Sequence, residues 1–289
     1  MKMYKSYTSL SLLLITLLCV PSLLFAKAED KIERTYALDK DGKVYLEVKS
    51  GDIVVNSWDK NEVKIIAHKN DSVDISHTEG NIRIIISRPR SFHYELFIPD
   101  KAHLRVETAS GRVKAREIGG FGDIRTVSGD IEVVTAKNGV RCKTVSGDIH
   151  LERISGNADL KTTSGKITVD GLEGSIKADT VSGKIEMEEF SHAEEMEIES
   201  ISGNIKLLGE LSSGSIYEIN SHSGNVEMRI PSDSNFELRV ETFSGNLHCD
   251  FEIRVSGKID RKNIQGIVGK GGASLISSSF SGNIRITKQ

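Results

Sequence analysis

Ser128-Gly129-Asp130-Ile131-Glu132-Val133 alternates apolar with charged residues after a Ser-Gly pair, and Ser146-Gly147-Asp148-Ile149 restarts the same phrase eighteen residues later. Between them Gly139-Val140-Arg141-Cys142-Lys143-Thr144 alternates again. A period of two is the signature of extended chain, so each unit supplies two short strands separated by Gly-containing bends. Ile131, Val133, Val140 and Cys142 then share one face. A single unit cannot bury that face, but stacked units pair backbone to backbone and join their aliphatic residues into continuous columns. The pattern predicts an all-β fold, a single-stranded β-helix or β-solenoid, right-handed, with about 18–21 residues per coil.

The same Ser-Gly step recurs along most of the chain, at Gly111, Gly129, Gly147, Gly165, Gly183, Gly203, Gly224, Gly245 and Gly282. Successive gaps are 18, 18, 18, 18, 20, 21, 21 and 37, the last close to two periods. Gly51 stands apart as an earlier copy, and Glu79-Gly80-Asn81-Ile82 is a degenerate relative. A sharp turn at one place in every coil predicts glycine there, often at φ > 0, with the preceding serine bonding a local backbone group. About eleven coils, at ~4.8 Å each, give a stack approaching ~50 Å. Ser281 to Gln289 would form the last coil and leave an open strand edge blunted by Arg285 and Lys288, which predicts a monomer or weak oligomer.

Leu104-Arg-Val-Glu-Thr-Ala-Ser-Gly111 and Leu238-Arg-Val-Glu-Thr-Phe-Ser-Gly245 match closely, and each follows an Ile-Pro pair, at 98–99 and 230–231. This points to duplicated architecture. No Pro-, Gly- or Ser-rich linker divides the chain, so residues 29–289 read as one β-solenoid domain, with a less regular cap at 29–100 and regular coils at 101–289. Tyr45, Val48, Ile53, Val55, Trp58, Val63 and Ile65 would build that cap.

Residues 1–28 read as a secretory signal peptide: Lys2 and Lys5, an apolar run from Leu10 to Val20, then Leu24-Phe-Ala-Lys-Ala28, with cleavage after Ala26 or Ala28. The mature chain is thus expected in the periplasm, at the cell surface or secreted. No later apolar stretch is long enough for a transmembrane span. After cleavage at Ala28, 35 basic residues against 41 acidic ones leave a charge of −6, which excludes the broad basic field that nucleic acid requires. Cys142 and Cys249 would sit several coils apart in the core, too far for a disulfide.

The Thr-Val-Ser-Gly-Asp-Ile repeats, the Ile-Pro segments and the ending Gly269-Lys-Gly-Gly-Ala-Ser-Leu-Ile-Ser-Ser-Ser-Phe-Ser-Gly-Asn-Ile-Arg-Ile together resemble the bacterial DUF4097 family, which also carries the label "putative adhesin". The resemblance covers nearly the whole mature chain. It implies a β-helix in exported or envelope proteins and transfers no catalytic residue.

Several stretches imitate chemistry. Gly266-Ile-Val-Gly269-Lys270-Gly271-Gly272 fails the spacing of a phosphate loop and precedes a strand. Asp52, Asp130 and Asp148 suggest calcium-binding repeats, yet Lys166 and Lys184 follow in the same column and would expel a row of cations. The eight histidines form no metal-binding spacing. Seven glutamates between Glu186 and Glu199 read as a solvated edge or a bulged loop, where the period lengthens from 18 to 20. No catalytic, cofactor-binding or metal-binding residue is therefore assigned, and no cofactor. The expected function is that of a non-catalytic envelope or secreted β-solenoid, an adhesin-type interaction surface for a protein, a glycan or another copy of itself. A structural or assembly scaffold is the alternative, and a polysaccharide-active β-helix enzyme is further off.

Overall fold

The computed structural model describes residues 31–89, 93–255 and 262–289, so the signal-peptide reading lies outside the described residues. All regular structure in them is β: one 13-stranded and one 14-stranded sheet. Each repeat gives one strand to each sheet, as Gly122–Ser128 goes to the larger and Ile131–Ala136 to the smaller. Counterparts pair in parallel and in register, so Ile131, Ile149, Ile167, Ile185, Ile205 and Val226 form one continuous column. All six are buried, as are Val133, Val140 and Cys142 on the predicted face. The fold is a β-solenoid of eleven two-strand coils with a single aliphatic core between its sheets.

The turn glycines are there for a different reason from the expected one. Only Gly51 and Gly111 of the ladder have positive φ, at 121° and 112°. The other glycines of the ladder are fixed by close approach: a Cβ on Gly183 would lie far inside contact distance of the Gly165 carbonyl oxygen, and one on Gly203 would do the same to Gly183. Nor is the preceding serine the main local bonding group. In several coils the buried Thr or Ser three residues before the glycine bonds the corner, as Gly245 N–H donates to Thr242 Oγ1 at 2.9 Å and Gly282 N–H to Ser279 Oγ at 2.8 Å. Thr162 Oγ1 donates instead to the Gly147 carbonyl of the previous coil, at 3.2 Å.

Left-handed backbone gathers at another corner, on residues that are mostly not glycine. Glu117, Thr135, Arg153 and Glu189 have φ between 55° and 66°, and Gly171 occupies the same column at 78°. Each is the bulge that bends a strand of the smaller sheet, skipped in pairing between Val134↔Glu152 and Ala136↔Ile154, for example. A β-branched residue is poorly suited to this conformation, whereas Asn tolerates it. Thr135→Asn is expected to stabilise the fold by about 1 kcal/mol in chemical denaturation; a loss of stability would show that the bulge imposes no strain.

Both ends of the stack depart from chain order. The coil of Lys43–Ser50 and Asp52–Trp58 lies inside the coil of Asn81–Arg88 and His93–Pro99, directly against His103–Ser110 and Val113–Ile118. Gly51 is thus the neighbour of Gly111, part of the ladder after all, while Gly80 belongs to the turn before Asn81–Arg88 and lies outside it. At the other end, Ala273–Ser279 and Ile284–Lys288 slot between the coil of Ile216–Ser221 and Val226–Ile230 and that of Phe236–Thr242 and Leu247–Cys249. Gly282 therefore stacks between Gly224 and Gly245, and the chain's last strand is not the open edge the sequence suggested. Antiparallel strands finish both ends of the larger sheet, Ser72–Thr78 at one and Asn263–Val268 at the other, whereas the smaller sheet has antiparallel Glu62–His68 at one end and parallel Leu247–Cys249 as its edge at the other. In the cap, Val48, Ile53, Val55, Val63 and Ile65 are buried as expected. Tyr45 and Trp58 face outward instead, the Tyr45 hydroxyl lying 2.9 Å from Glu47 Oε2 and 2.8 Å from Glu107 Oε2.

Candidate functional site: the Thr-x-Ser-Gly corner

The residue between the buried Thr and the exposed Ser of each corner points out of the stack. In stacking order these residues are Ala109, Val127, Val145, Thr163, Val181, Ile201, His222, Phe280 and Phe243, all exposed. Nine positions at ~4.8 Å make a ridge about 38 Å long. Six of the eight large apolar side chains exposed among the described residues lie on it, at 40–63% exposure, so the apolar surface is concentrated, not scattered. At one end the ridge becomes aromatic. His222 and Phe280 stack with centroids 4.9 Å apart at 7°, and Phe280 and Phe243 with centroids 4.9 Å apart at 2°. Lys262 Nζ lies 5.4 Å from the Phe243 centroid. Alongside runs a groove of about 860 Å³, lined by the ring stack, Val181 and Ile201 on one side and by Lys161, Asp179, Glu199 and Glu241 on the other.

Two rows flank the ridge. On the larger sheet's outer face, the row two residues before each ridge position reads Glu107, Arg125, Lys143, Lys161, Asp179, Glu199, Asn220, Ser278 and Glu241. The row after the glycines is the one that suggested calcium. Its Asp and Asn side chains serve the backbone instead: Asp148 N–H donates to Asp130 Oδ1 at 3.1 Å, Lys166 N–H to Asp148 Oδ1 at 2.8 Å and Asn225 N–H to Asn204 Oδ1 at 2.9 Å. Asn283 accepts likewise from the N–H of Asn246, at 3.1 Å. Asp and Asn recur in this column because each can accept the next coil's otherwise unpaired N–H.

Other singled-out residues scatter. Gly269, Gly271 and Gly272 make the turn between Asn263–Val268 and Ala273–Ser279, with Lys270 N–H donating to Asn235 Oδ1 at 2.8 Å. Cys142 is fully buried and Cys249 only half so; both are free thiols on different sheets, and burial pushes the pKa of each upward. The glutamate run contains the expected bulge, between Glu188 and Phe190. It is also more paired than a solvated edge. Glu197 accepts from Lys177 Nζ at 2.6 Å, Glu188 lies 3.8 Å from Lys206, and Glu186 receives both Lys166 and Lys184.

Hydrogen bonds from Lys166 first and Lys184 second hold the Glu186 carboxyl down, from the usual 4.5 to about 2. A folded-state pKa below the unfolded one makes this cluster stabilising above about pH 4.5, and that contribution drains away as the pH falls toward 2. Glu186→Gln should therefore lower stability at pH 7 and narrow the gap between urea midpoints measured at pH 7 and pH 2.5. An unchanged gap would show that the lysines do not grip the carboxylate.

A repeated β-coil with one apolar corner defines a class, that of solenoid proteins which present an extended surface. The DUF4097 model, described as Toastrack, matches residues 30–157 and again 123–287, and the chain belongs to that family. Among solved structures, a "putative adhesin" from Parabacteroides distasonis is 10% identical, covering 91% of this chain and 98% of that one, at a TM-score of 0.49. A second "putative adhesin", from Bacteroides fragilis, is 12% identical over 90% and 98%, at 0.41. A "putative lipid binding protein" from Parabacteroides distasonis is 14% identical over 91% and 98%, at 0.44. No curated protein matches the chain.

The ridge escaped the sequence reading although its signal is plain in retrospect. The x of Thr-x-Ser-Gly reads Val, Val, Thr, Val, Ile, His, Phe and Phe from position 127 onward in stacking order, at a turn where polar residues are the norm.

Proposed function

We propose that the protein is an exported, non-catalytic interaction module of the cell envelope, and that it works as an adhesin does, by presenting the Thr-x-Ser-Gly ridge to a protein partner. One observation carries this reading: the concentration of exposed apolar side chains on a single 38 Å line, on ~4.8 Å spacing, against a fold whose other faces are charged. Several of the corner's polar groups serve the ladder, as Thr162 and Thr242 bond glycine backbone and Asp130 and Asn204 accept the next coil's N–H, and the corner's other hydroxyls, such as Thr180 and Ser200, are buried. A protein partner is favoured over a glycan because sugars stack on open ring faces, and the faces of Phe280 are covered on both sides by His222 and Phe243. The scaffold alternative needs ends that polymerise, and on the larger sheet antiparallel strands cover both ends.

The test is retention of the mature chain on envelope preparations from its own cells. The triple variant Val145→Asp, Ile201→Asp, Phe280→Asp should lose retention by ~tenfold or more, while Asp170→Lys on the opposite sheet should not. Equal retention of the triple variant would overturn the reading.

A further inference from the structure

We infer that the ridge's partner is a second copy of this chain, packed parallel and in register about a two-fold axis that runs along the stack, so that each ridge residue meets its own counterpart. The inference rests on the ridge being the binding surface, as proposed above.

The charges beside the ridge carry the assignment. Under such an axis, the row preceding the ridge in one copy faces the row following the ridge in the other, at the same coil. Coil by coil this sets Glu107 opposite Arg112, Arg125 opposite Asp130, Lys143 opposite Asp148 and Asp179 opposite Lys184, and symmetry makes each pair twice. Lys161 opposite Lys166 is the like-charged exception in that span. Beyond Val181 the second row turns neutral, with Asn204, Asn225, Asn283 and Asn246, and the ridge turns aromatic. The contact would thus be zipped by charge at one end and by rings at the other. Among the described residues these groups pair along the sheets and not across the ridge: Arg125 with Asp123 at 2.9 Å, Lys143 with Asp159 at 3.4 Å, Lys161 with Asp179 at 3.8 Å, Arg112 with Asp130 at 3.6 Å. An antiparallel packing about the ridge's midpoint at Val181 would instead press Asp179 against Asp179 and Lys184 against Lys184 at the middle of the contact. The ridge is one residue wide, so each copy buries roughly 450 Å², well under the ~800 Å² per partner of a standard interface. The dimer is therefore weak.

Single-cysteine variants Val145→Cys and Ile201→Cys, each in a Cys249→Ser background, test both partner and register under mild oxidation at high protein concentration. Each should cross-link to itself, and Asp170→Cys should not. Sedimentation velocity should show concentration-dependent dimer, weakened ~tenfold between 50 mM and 0.5 M salt as exposed charge pairs are screened. A disulfide formed only when Ile201→Cys is mixed with Thr163→Cys would mean the antiparallel register and overturn the inference. So would a monomer at every concentration without self-cross-links; if the triple ridge variant still lost envelope retention, the binding role would stand with a different partner.

Discussion

Gly183→Ala and Gly165→Ala are each expected to cost more stability than any ordinary core truncation in this protein, roughly 4 kcal/mol or more, and to prevent accumulation of folded protein at 37 °C. The obstacle is backbone, not a side chain that could swing away. A Cβ on Gly183 would meet the carbonyl oxygen of Gly165 and also Thr180 Oγ1, the hydroxyl that fills the corner. To relieve the clash, adjacent coils would have to part, and parting them breaks the parallel bonds on both sheets at once. Mid-stack coils touch only their neighbours, so a break there divides the solenoid in two. Gly214→Ala is the control. That glycine has φ of 84° with nothing within 4 Å of the added atom, so its substitution should cost only the left-handed strain, about 1 kcal/mol. Thermal melts in which Gly183→Ala and Gly214→Ala fall together would show that conformation, and not coil contact, selects glycine in the ladder.

That contrast also marks what the sequence could convey. Glycine every 18 residues is equally compatible with positive φ and with close approach, and only the neighbouring coil's position separates the two. The inside of the fold was legible because period-two alternation has one meaning once a strand is buried on a single face: Ile131, Val133, Val140 and Cys142 fell where the pattern put them. The outside was not. Tyr45 and Trp58 were grouped with the other cap residues, yet Tyr45 alternates out of phase with the buried Val44 and Leu46. Val127 and Ile201 drew no reading, because β-branching at an exposed corner and in a buried strand look alike in a sequence. The order of the terminal coils was hidden for a stronger reason. A 37-residue gap implies two periods only if coils stack in the order they are made, and at both ends of this chain they do not.

A chain ending at residue 272 should therefore fail in a way that trimming an ordinary repeat protein does not. Losing a true terminal coil would shorten the stack and leave its neighbour as the new end. Here residues 273–289 hold the coil between Val226–Ile230 and Leu247–Cys249 on one sheet and between Ile216–Ser221 and Phe236–Thr242 on the other. Their removal subtracts Leu275, Ile284 and Ile286, all fully buried, and uncovers Tyr217, Met228 and Leu238 on either side. At ~1.5–3 kcal/mol per buried aliphatic side chain, the loss is comparable with the whole stability of a typical domain. Phe236–Thr242 keeps only its antiparallel partner, Asn263–Val268, a ribbon too small to hold its own core. Hydrogen exchange followed by mass spectrometry should show amide protection lost across residues 216–249 and kept across 122–172, and retained protection at 236–249 would refute the intercalated order. The same topology bears on folding. Val226 pairs with Ile284 across 58 residues, whereas Ile131 pairs with Ile149 across 18, so the last coil closes at a higher entropic cost than those before it. The regular coils can form as the chain emerges, but the aromatic end of the ridge waits for Phe280. The surface proposed for binding is thus completed only by residues 273–289, which follow every other coil in the chain.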